Sequence, residues 1–457
     1  MKQTIIIILA AIPFGLFAQE KKSFSLKEAQ EHAVENSYQI LMADIGIKEA
    51  KQDVNETTAI GLPQVSASAG FQNFLDVPTQ VIPNFIAPAI TQTLVGTGIL
   101  PPSAAEEPAD PEFIEAQFGT EFSTTVGITA SQLIFDGRYF YGLKASKAYV
   151  NYAQLQKDRD EAGILEQVSQ AYYACLVADE SFEIFEKSIK NIQKTLSETE
   201  EMYKEGFMEE LDVDQLKLME SNVSTQLENA KMQKENARAL LKFMLAMPLD
   251  SEIELTDELE SILSEDNAEA MILQNVSISK HRDMALIDEG INLQQLNLRA
   301  TQSGYMPTLS AFFQHQQMNM ANELDFQTWF PNTVWGVNLN VPIFTSFGTR
   351  SKVQKVKLGI DKLEVQKQQL SNSLQLEAMN AKSALVTSLS TYKNEKKNLE
   401  LAMKIQRKTL EKFNLGMSSS LELTQAENQL LNTQGNYVRS IFDVLNAQTR
   451  LQNALGQ

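Results

Sequence analysis

The stretch KEGFMEELDVDQ at residues 204–215 returns in altered form as NLGMSSSLELTQ at residues 414–425. Both copies place a glycine five residues before a leucine, an acidic residue directly after that leucine, and a glutamine at the end. Glycine is the residue that most readily adopts the left-handed backbone at the end of an α-helix. Each stretch therefore predicts a turn between two helices, centred on Gly206 and Gly416.

Other parts of the chain also occur twice. A Gly/Pro pair opens a strand-like run in each half, at Pro63 and Pro307, and an Ile-Phe pair precedes each long helical pattern, at Phe135 and Phe344. The spacing from the Ile-Phe pair to the turn glycine is 71 residues in the first half and 72 in the second. Self-similarity at matching spacing indicates an internal repeat. The sequence predicts repeat 1 over 19–250 and repeat 2 over 251–457.

Each repeat is predicted to contain a β-hairpin, at 63–135 and 307–344. Apolar side chains alternate with small or polar ones, as in the second hairpin, where Trp335, Val337, Leu339 and Val341 interleave with Gly336, Asn338 and Asn340. This period of two is typical of a transmembrane β-barrel strand, but it fits a half-buried sheet of a water-soluble domain equally well.

The first hairpin is about 35 residues longer than the second. The excess falls at 76–118, where the sequence contains the prolines Pro78, Pro83, Pro88, Pro101, Pro102, Pro108 and Pro111. Because proline interrupts helices and central strands, the sequence predicts an irregular surface loop. Outer-membrane barrels place their long loops outside the cell, so this loop is expected to be external.

The N-terminus has the pattern of a secretory signal peptide at 1–18. Lys2 precedes a short apolar run, and Ala18 supplies a small residue for cleavage. Beyond it the sequence has no uninterrupted apolar stretch long enough for a membrane-spanning helix, so a membrane would have to be crossed by strands. The signal peptide favours the barrel over the soluble sheet.

Long helices are predicted at 140–204 and 350–413, where apolar residues recur at coiled-coil spacing. At 1.5 Å per residue the first would be roughly 100 Å long. Shorter helices are expected at about 26–60, 211–247, 267–302 and 421–455. An acidic stretch at 251–266 is expected to form an irregular linker.

Four strands cannot close a barrel, since known single-chain barrels begin at about eight strands. Two copies would give eight strands around a lumen filled by side chains, whereas three would give twelve strands and a pore. We expect three. The fold class predicted is therefore mainly α with a membrane β-barrel, built from two tandem repeats per chain.

The formal net charge of −19 argues against nucleic acid as a partner, because nucleic acid attracts basic surfaces. His32, His281 and His315 are scattered without metal-ligand spacing, so no metal site, cofactor or catalytic centre is expected. The lone Cys175 excludes an intrachain disulfide and is expected in a helix core. An enzyme is not expected.

The order and spacing of these motifs resemble the TolC family of outer-membrane efflux proteins over essentially the whole mature chain. The resemblance implies a homotrimer with a twelve-stranded barrel in outer-membrane lipid and a periplasmic tunnel of twelve helices. It also implies an inner-membrane pump of the RND or ABC type as a partner, usually through a periplasmic adaptor. The function expected is an exit duct of a tripartite efflux or type I secretion system.

By resemblance, acidic residues just past the two turns line the entrance of the tunnel. Asp212 and Glu422 occupy equivalent places in the two repeats, and Asp214 lies nearby. The neutral Gln425 stands at the second acidic position of better-known members, and Ser418 replaces a latch arginine. The turns themselves present apolar side chains, which suggest adaptor docking or packing between neighbouring turns. These docking candidates are Gly206, Phe207, Leu211, Gly416, Met417 and Leu421.

Two other classes of protein remain open on the sequence. A periplasmic coiled-coil scaffold would explain the long helices but not the signal peptide or the strand pairs. A periplasmic adaptor would need a lipoyl-like β module between its helices, and none is apparent in the sequence.

Overall fold

The computed structural model describes residues 22–106, 112–117, 119–274 and 277–456. The signal peptide expected at 1–18 lies outside the described residues. The chain divides into two compact units. The helical unit comprises the described parts of Met1–Lys51, Lys147–Gln294 and Leu358–Gln457, and the sheet unit comprises those of Gln52–Ser146 and Gln295–Lys357.

Ten α-helices and eight strands occur in the described residues. The helices are α1 (Leu26–Asn36), α2 (Tyr38–Ile60), α3 (Ile86–Gly96), α4 (Gly137–Lys204), α5 (Glu210–Met244), α6 (Leu259–Ile262), α7 (Glu265–Leu273), α8 (Arg282–Gln302), α9 (Gly348–Asn414) and α10 (Ser420–Ala454). The strands are β1 (Lys22–Phe24), β2 (Gln64–Asn73), β3 (Thr79–Pro83), β4 (Phe113–Gln117), β5 (Phe122–Phe135), β6 (Ile253–Leu255), β7 (Thr308–Ala321) and β8 (Phe330–Asn340). The fold is mainly helical.

No helix within the described ranges has both the length and the apolar character needed to cross a membrane.

The main core of the helical unit lies where the acidic segment after α5 meets the long helices. Tyr172, Leu241, Leu385 and Ile441, from α4, α5, α9 and α10, are almost completely buried there. Cys175 is part of this core, as predicted, and burial raises the pKa of its thiol to about 12. A buried cysteine of this kind behaves as a small apolar side chain.

The acidic segment 251–266, predicted as irregular, contains short ordered elements. Strand β6 pairs in parallel with β1, with Lys22 opposite Ile253. Asp257 Oδ2 accepts hydrogen bonds from the backbone N–H of Leu26 at 2.7 Å and from the Tyr172 hydroxyl at 3.0 Å. These bonds attach the segment to both α1 and α4.

Two helices that the sequence predicted as continuous are broken. Ser37 adopts extended backbone angles (φ −61°, ψ 142°) between α1 and α2. The predicted helix 267–302 is divided into α7 and α8, with a short 3-10 turn at Ile278–Lys280 between them. The prediction was wrong because the apolar spacing continues across both breaks, while the helical hydrogen-bond ladder does not.

The sheet unit contains an antiparallel sheet in the order β2-β5-β7-β8. Strand β2 pairs with β5 from Gln64↔Ser131 to Asn73↔Phe122, and β7 pairs with β8 through Thr308↔Asn340. Among the described strands, β2 and β8 are the two edges.

The prediction of an irregular loop at 76–118 was wrong. The segment contains the β3–β4 ribbon, α3 and a 3-10 turn at Pro102–Glu106. Its prolines occupy positions that regular structure tolerates: Pro83 is the last residue of β3, and Pro88 lies in the first turn of α3, where a backbone N–H has no helical acceptor.

Candidate functional site at the helix tips

The helix pairs α4–α5 and α9–α10 are joined by turns of the same backbone geometry. Gly206 has φ +79° and Gly416 has φ +69°. In the first turn the Phe207 N–H donates to the Met202 carbonyl at 2.9 Å, and the Gly206 N–H donates to the Tyr203 carbonyl at 3.0 Å. This pair of bonds is a Schellman motif, which satisfies the last carbonyls of the helix.

The second turn repeats both bonds. The Met417 N–H donates to the Lys412 carbonyl at 2.8 Å, and the Gly416 N–H donates to the Phe413 carbonyl at 2.9 Å. Both glycines adopt the left-handed conformation predicted from the sequence.

The helices that leave the turns begin with side-chain caps. At α5, the Glu209 N–H donates to Asp212 Oδ2 at 3.2 Å, within a capping box. At α10, Ser419 Oγ accepts the Glu422 N–H at 3.2 Å, and the Ser418 hydroxyl donates to the Glu422 carboxylate. Caps of this type satisfy backbone donors and favour acidic residues at the helix start.

Ser420 connects the two turns. Its side chain is only 2% exposed, and its hydroxyl lies 2.5 Å from Asp212 Oδ1 and 2.6 Å from Gln215 Oε1. A hydroxyl has one proton to donate, so the carboxylate of Asp212 is the better acceptor. The first residue of α10 is thereby bonded to the first two turns of α5.

An apolar cluster lies beneath the turns and draws on all four helices. Its buried members are Leu196, Val213, Leu216, Phe413 and Leu423, with Met208 and Leu410 packed against them. This cluster fixes the turns relative to one another, so the capping residues hold defined positions.

The apolar side chains predicted as docking candidates are exposed in the single chain. Phe207 is 79% exposed and Met417 is 66% exposed, and Leu211 and Leu421 are also exposed. Leu415, which the sequence analysis did not single out, is exposed as well. A group of large apolar side chains in water at one end of a helical bundle is typical of an interaction surface.

The carboxylates predicted for an entrance ring differ in their surroundings. Asp212 is half-buried and occupied by its bonds to Ser420 and Glu209, whereas Asp214, Glu422 and Gln425 are exposed. Asp214 has no role in either cap. Asp214 and Glu422 can therefore interact with ions in solution, although Glu422 also accepts a bond from the Ser418 hydroxyl, and Asp212 maintains the turn.

One acidic residue near the tips was missed by sequence reasoning. Glu427, half-buried on α10, accepts a hydrogen bond from the Gln406 side-chain amide at 2.5 Å. Burial raises the pKa of Glu427, and the bond from Gln406 partly opposes that rise. The sequence around Glu427, including Leu423 and Ala426, did not indicate that this residue is half-buried, because a single acidic residue on a helix is usually exposed to water.

Within the ranges that the structure describes, no group of three or more His, Cys, Asp or Glu side chains could hold a metal ion.

The fold and the tips together define a class of protein. The chain combines long helix pairs ending in capped turns with a four-stranded antiparallel sheet. The profile of the family described as outer membrane efflux protein matches residues 115–246 and 275–457. The chain belongs to this family, and the predicted TolC-family membership and outer-membrane location are confirmed.

Relatives at the sequence level are distant. The chain is 20% identical over 347 residues to the outer membrane efflux protein BepC of Brucella suis biovar 1 (strain 1330), covering 74% of each chain. The family and the fold are those of channel proteins rather than enzymes.

Solved structures share the fold over most of the chain. CusC matches with a TM-score of 0.69 at 15% identity, covering 94% of this chain and 92% of CusC. The Campylobacter jejuni CmeC outer membrane channel matches with a TM-score of 0.68 at 17% identity, covering 94% and 85%. The open state of the Neisseria gonorrhoeae MtrE outer membrane channel matches with a TM-score of 0.69 at 16% identity, covering 94% and 88%.

Proposed function

We propose that three copies of this chain form the exit duct of a tripartite efflux or type I secretion system. The duct is a passive conduit across the periplasm and outer membrane. An inner-membrane pump supplies the energy, and a periplasmic adaptor joins the pump to the duct.

The open edges of the four-stranded sheet carry this proposal. All ten residues of β2 are exposed in the single chain, and β8 is the other edge. In lipid, each unpaired backbone group costs several kcal/mol, so an open edge must pair. Pairing β2 of one copy with β8 of the next closes a ring, and three copies give twelve strands around a pore.

The side chains of β8 support a lipid-facing outer surface. Trp335, Val337 and Leu339 of β8 are exposed in the single chain, with Trp335 at 76%, and so is Val341 directly after the strand. Asn338 and Asn340 alternate with them and would face the aqueous lumen. This arrangement matches the apolar-outside, polar-inside alternation of membrane barrels.

The two halves of the helical unit support a tunnel wall built from tandem repeats. Helices α4 and α9 contain 68 and 67 residues, and α5 and α10 contain 35 each. The same turn follows each long helix. Three copies would contribute twelve helical segments to the wall.

At the tips, we assign two roles. Asp212, Asp214 and Glu422, with Gln425, form the periplasmic entrance ring in the trimer. The exposed apolar residues of the turns, Phe207 and Met417 first among them, dock the adaptor. The segment between β2 and β5 faces the cell exterior, so a protease added to intact cells should cut there and leave the helices whole.

The test is the size and conductance of the purified protein. Extracted in detergent, it should have the mass of three chains by light scattering and should conduct ions when added to a planar bilayer. A coiled-coil scaffold or an adaptor would instead be extracted in aqueous buffer and give no conductance. Monomeric protein that retains its helix and strand circular dichroism would overturn the proposal.

A further inference from the structure

Most of the segment between β2 and β5, at residues 74–106, 112–117 and 119–121, is described by the structure and forms a projection from the sheet. The Phe74 N–H donates to the Glu121 carbonyl at 2.7 Å, which extends the β2–β5 pairing just beyond Asn73 and Phe122, and the β3–β4 ribbon follows. Asn84 then caps α3 by accepting the Ala87 N–H on Oδ1 at 3.1 Å. The helix ends at Gly96, and Gly98 just beyond it adopts the left-handed conformation with φ +75°. The sheet therefore carries α3 at the end where Asn73 pairs with Phe122.

The projection is uncharged over most of its length. From Val77 to Ala105 the sequence contains no Asp, Glu, Lys, Arg or His. One side of α3 is apolar and exposed, with Phe85 at 65% and Ile90 at 54%. We call this side the α3 stripe, which consists of Phe85, Ile86, Ala89, Ile90, Thr93 and Leu94 and lines a shallow groove.

The surrounding charges argue against lipid as the occupant of the α3 stripe. Between Lys51 and Arg138 the sequence has no Lys or Arg, whereas acidic residues flank the projection at Asp76, Glu112 and Glu121. Helices that lie on anionic lipid surfaces carry Lys and Arg on their polar face. An anionic outer leaflet would repel this segment.

The edge position of β2 points to a neighbouring copy. Strand β3 follows β2 in the chain after the short bend at residues 74–78, and β2 is the edge that pairs with the next copy in the proposed trimer. At the same end of the sheet, the β7–β8 connection exposes Leu324 and Phe326. In the proposed trimer, the segment that carries the α3 stripe therefore begins at the boundary between copies, where Leu324 and Phe326 are exposed beside the acidic Glu323 and Asp325.

We propose that the α3 stripe of each copy packs against the outer end of the next copy, including its β7–β8 connection. This inference rests on the proposed trimer. A head-to-tail contact of this kind repeats three times and closes on itself under threefold symmetry. It adds contact area between copies beyond the barrel strands.

The test places a photoreactive side chain on the stripe. Phe85 is replaced by p-benzoylphenylalanine, and outer membranes are irradiated and run on a denaturing gel. The expected product has the mass of two chains. The peptide crosslinked to position 85 should come from residues 322–329 or 77–105 of the second copy. Thr91, on the side of α3 away from the stripe, is the matched control and should give at least several-fold less product.

Other products would overturn the inference. A lipid adduct at the mass of one chain would make the occupant lipid, and a different protein would make it an unrelated partner. Adding Ile90→Glu should remove most of the two-chain product by placing a charge in the contact, and unchanged crosslinking would also contradict the proposal.

The size of the detergent-extracted protein separates the two proposals. A trimer that gives no crosslink at Phe85 rejects the α3 contact alone. A protein that is not trimeric rejects the exit duct itself.

Discussion

The hydroxyl of Ser420 lies 2.5 Å from Oδ1 of Asp212, although the two residues are separated by 208 positions in the chain. Ser420 is the first residue of α10, and Asp212 lies in the first turn of α5. The bond therefore couples the two helix turns. Asp212, which is proposed for the entrance ring, therefore also helps to hold the two turns together.

Replacing Ser420 with Ala should loosen the tips. The change leaves the half-buried Asp212 carboxylate without its hydroxyl donor, and losing a hydrogen bond to a charged group costs roughly 1.5–3 kcal/mol. We expect a lower melting temperature and a larger, less stable single-channel conductance. Ser418→Ala is the control, because Ser418 bonds only to Glu422 within its own turn. Equal conductance in both variants would show that the Ser420 bond does not hold the entrance.

Neutralising the exposed acids should reduce cation selectivity. In a trimer, Asp214 and Glu422 contribute six carboxylates to the mouth, and acidic rings select for cations. The double variant Asp214→Asn/Glu422→Gln should shift the reversal potential in a salt gradient toward anions and weaken block by multivalent cations. Adding Asp212→Asn should extend the shift, with some loss of stability.

The control for this series is Glu228→Gln, which removes an exposed charge farther along α5. A reversal potential that is unchanged in a folded, trimeric double variant would mean that these acids serve only as helix-start residues.

The long helices were the most predictable part of the fold. The sequence placed them at 140–204 and 350–413, and the structure has Gly137–Lys204 and Gly348–Asn414. The apolar spacing continues over many helical turns, and a glycine marks each end. Together these features define where each long helix begins and ends. By contrast, the break at Ser37 and the helix α3 depend on local caps, which override both apolar periodicity and proline content.

The candidate site was predictable in its sequence-local features only. The turn glycines, the exposed apolar residues and the acids were visible in the motif. Ser420 was not, because its partners Asp212 and Gln215 lie in the other half of the chain. Glu427 was missed for a similar reason: its burial and its bond to Gln406 arise from helix packing.

Substituting the turn glycines should destabilise the tips without affecting the sheet. A side chain in the left-handed conformation costs roughly 1–2 kcal/mol. Gly206→Ala and Gly416→Ala should each lower the melting temperature, whereas Gly416→Asn should be milder, since Asn tolerates this conformation better. Gly435→Ala, inside α10 with open space around it, is the control and should stabilise slightly.

Efflux in cells and adaptor crosslinking at Met417 provide the functional measurement for the turn variants. We expect both to fall in the Ala variants in proportion to the loss in melting temperature. Full adaptor binding by a destabilised Gly416→Ala protein would show that docking does not depend on the shape of this turn.

The last prediction concerns the half-buried carboxyl of Glu427. Burial raises its pKa above the ordinary value of 4.5, so the folded state holds a proton more tightly than the unfolded state. The stabilising contribution of this group is therefore fully present below about pH 4.5 and is lost as the pH rises through the raised pKa.

Glu427→Gln keeps the shape of the side chain and its contact with Gln406 but removes the charge. The variant and the natural protein should melt at nearly the same temperature at pH 4, and the variant should melt higher at pH 8. Glu228→Gln changes an exposed residue of the same type. The difference in melting temperature between this variant and the natural protein should not grow as the pH rises. If Glu427→Gln lowers the melting temperature at pH 8, the charge of Glu427 stabilises the folded protein, and the burial effect is smaller than the bond from Gln406.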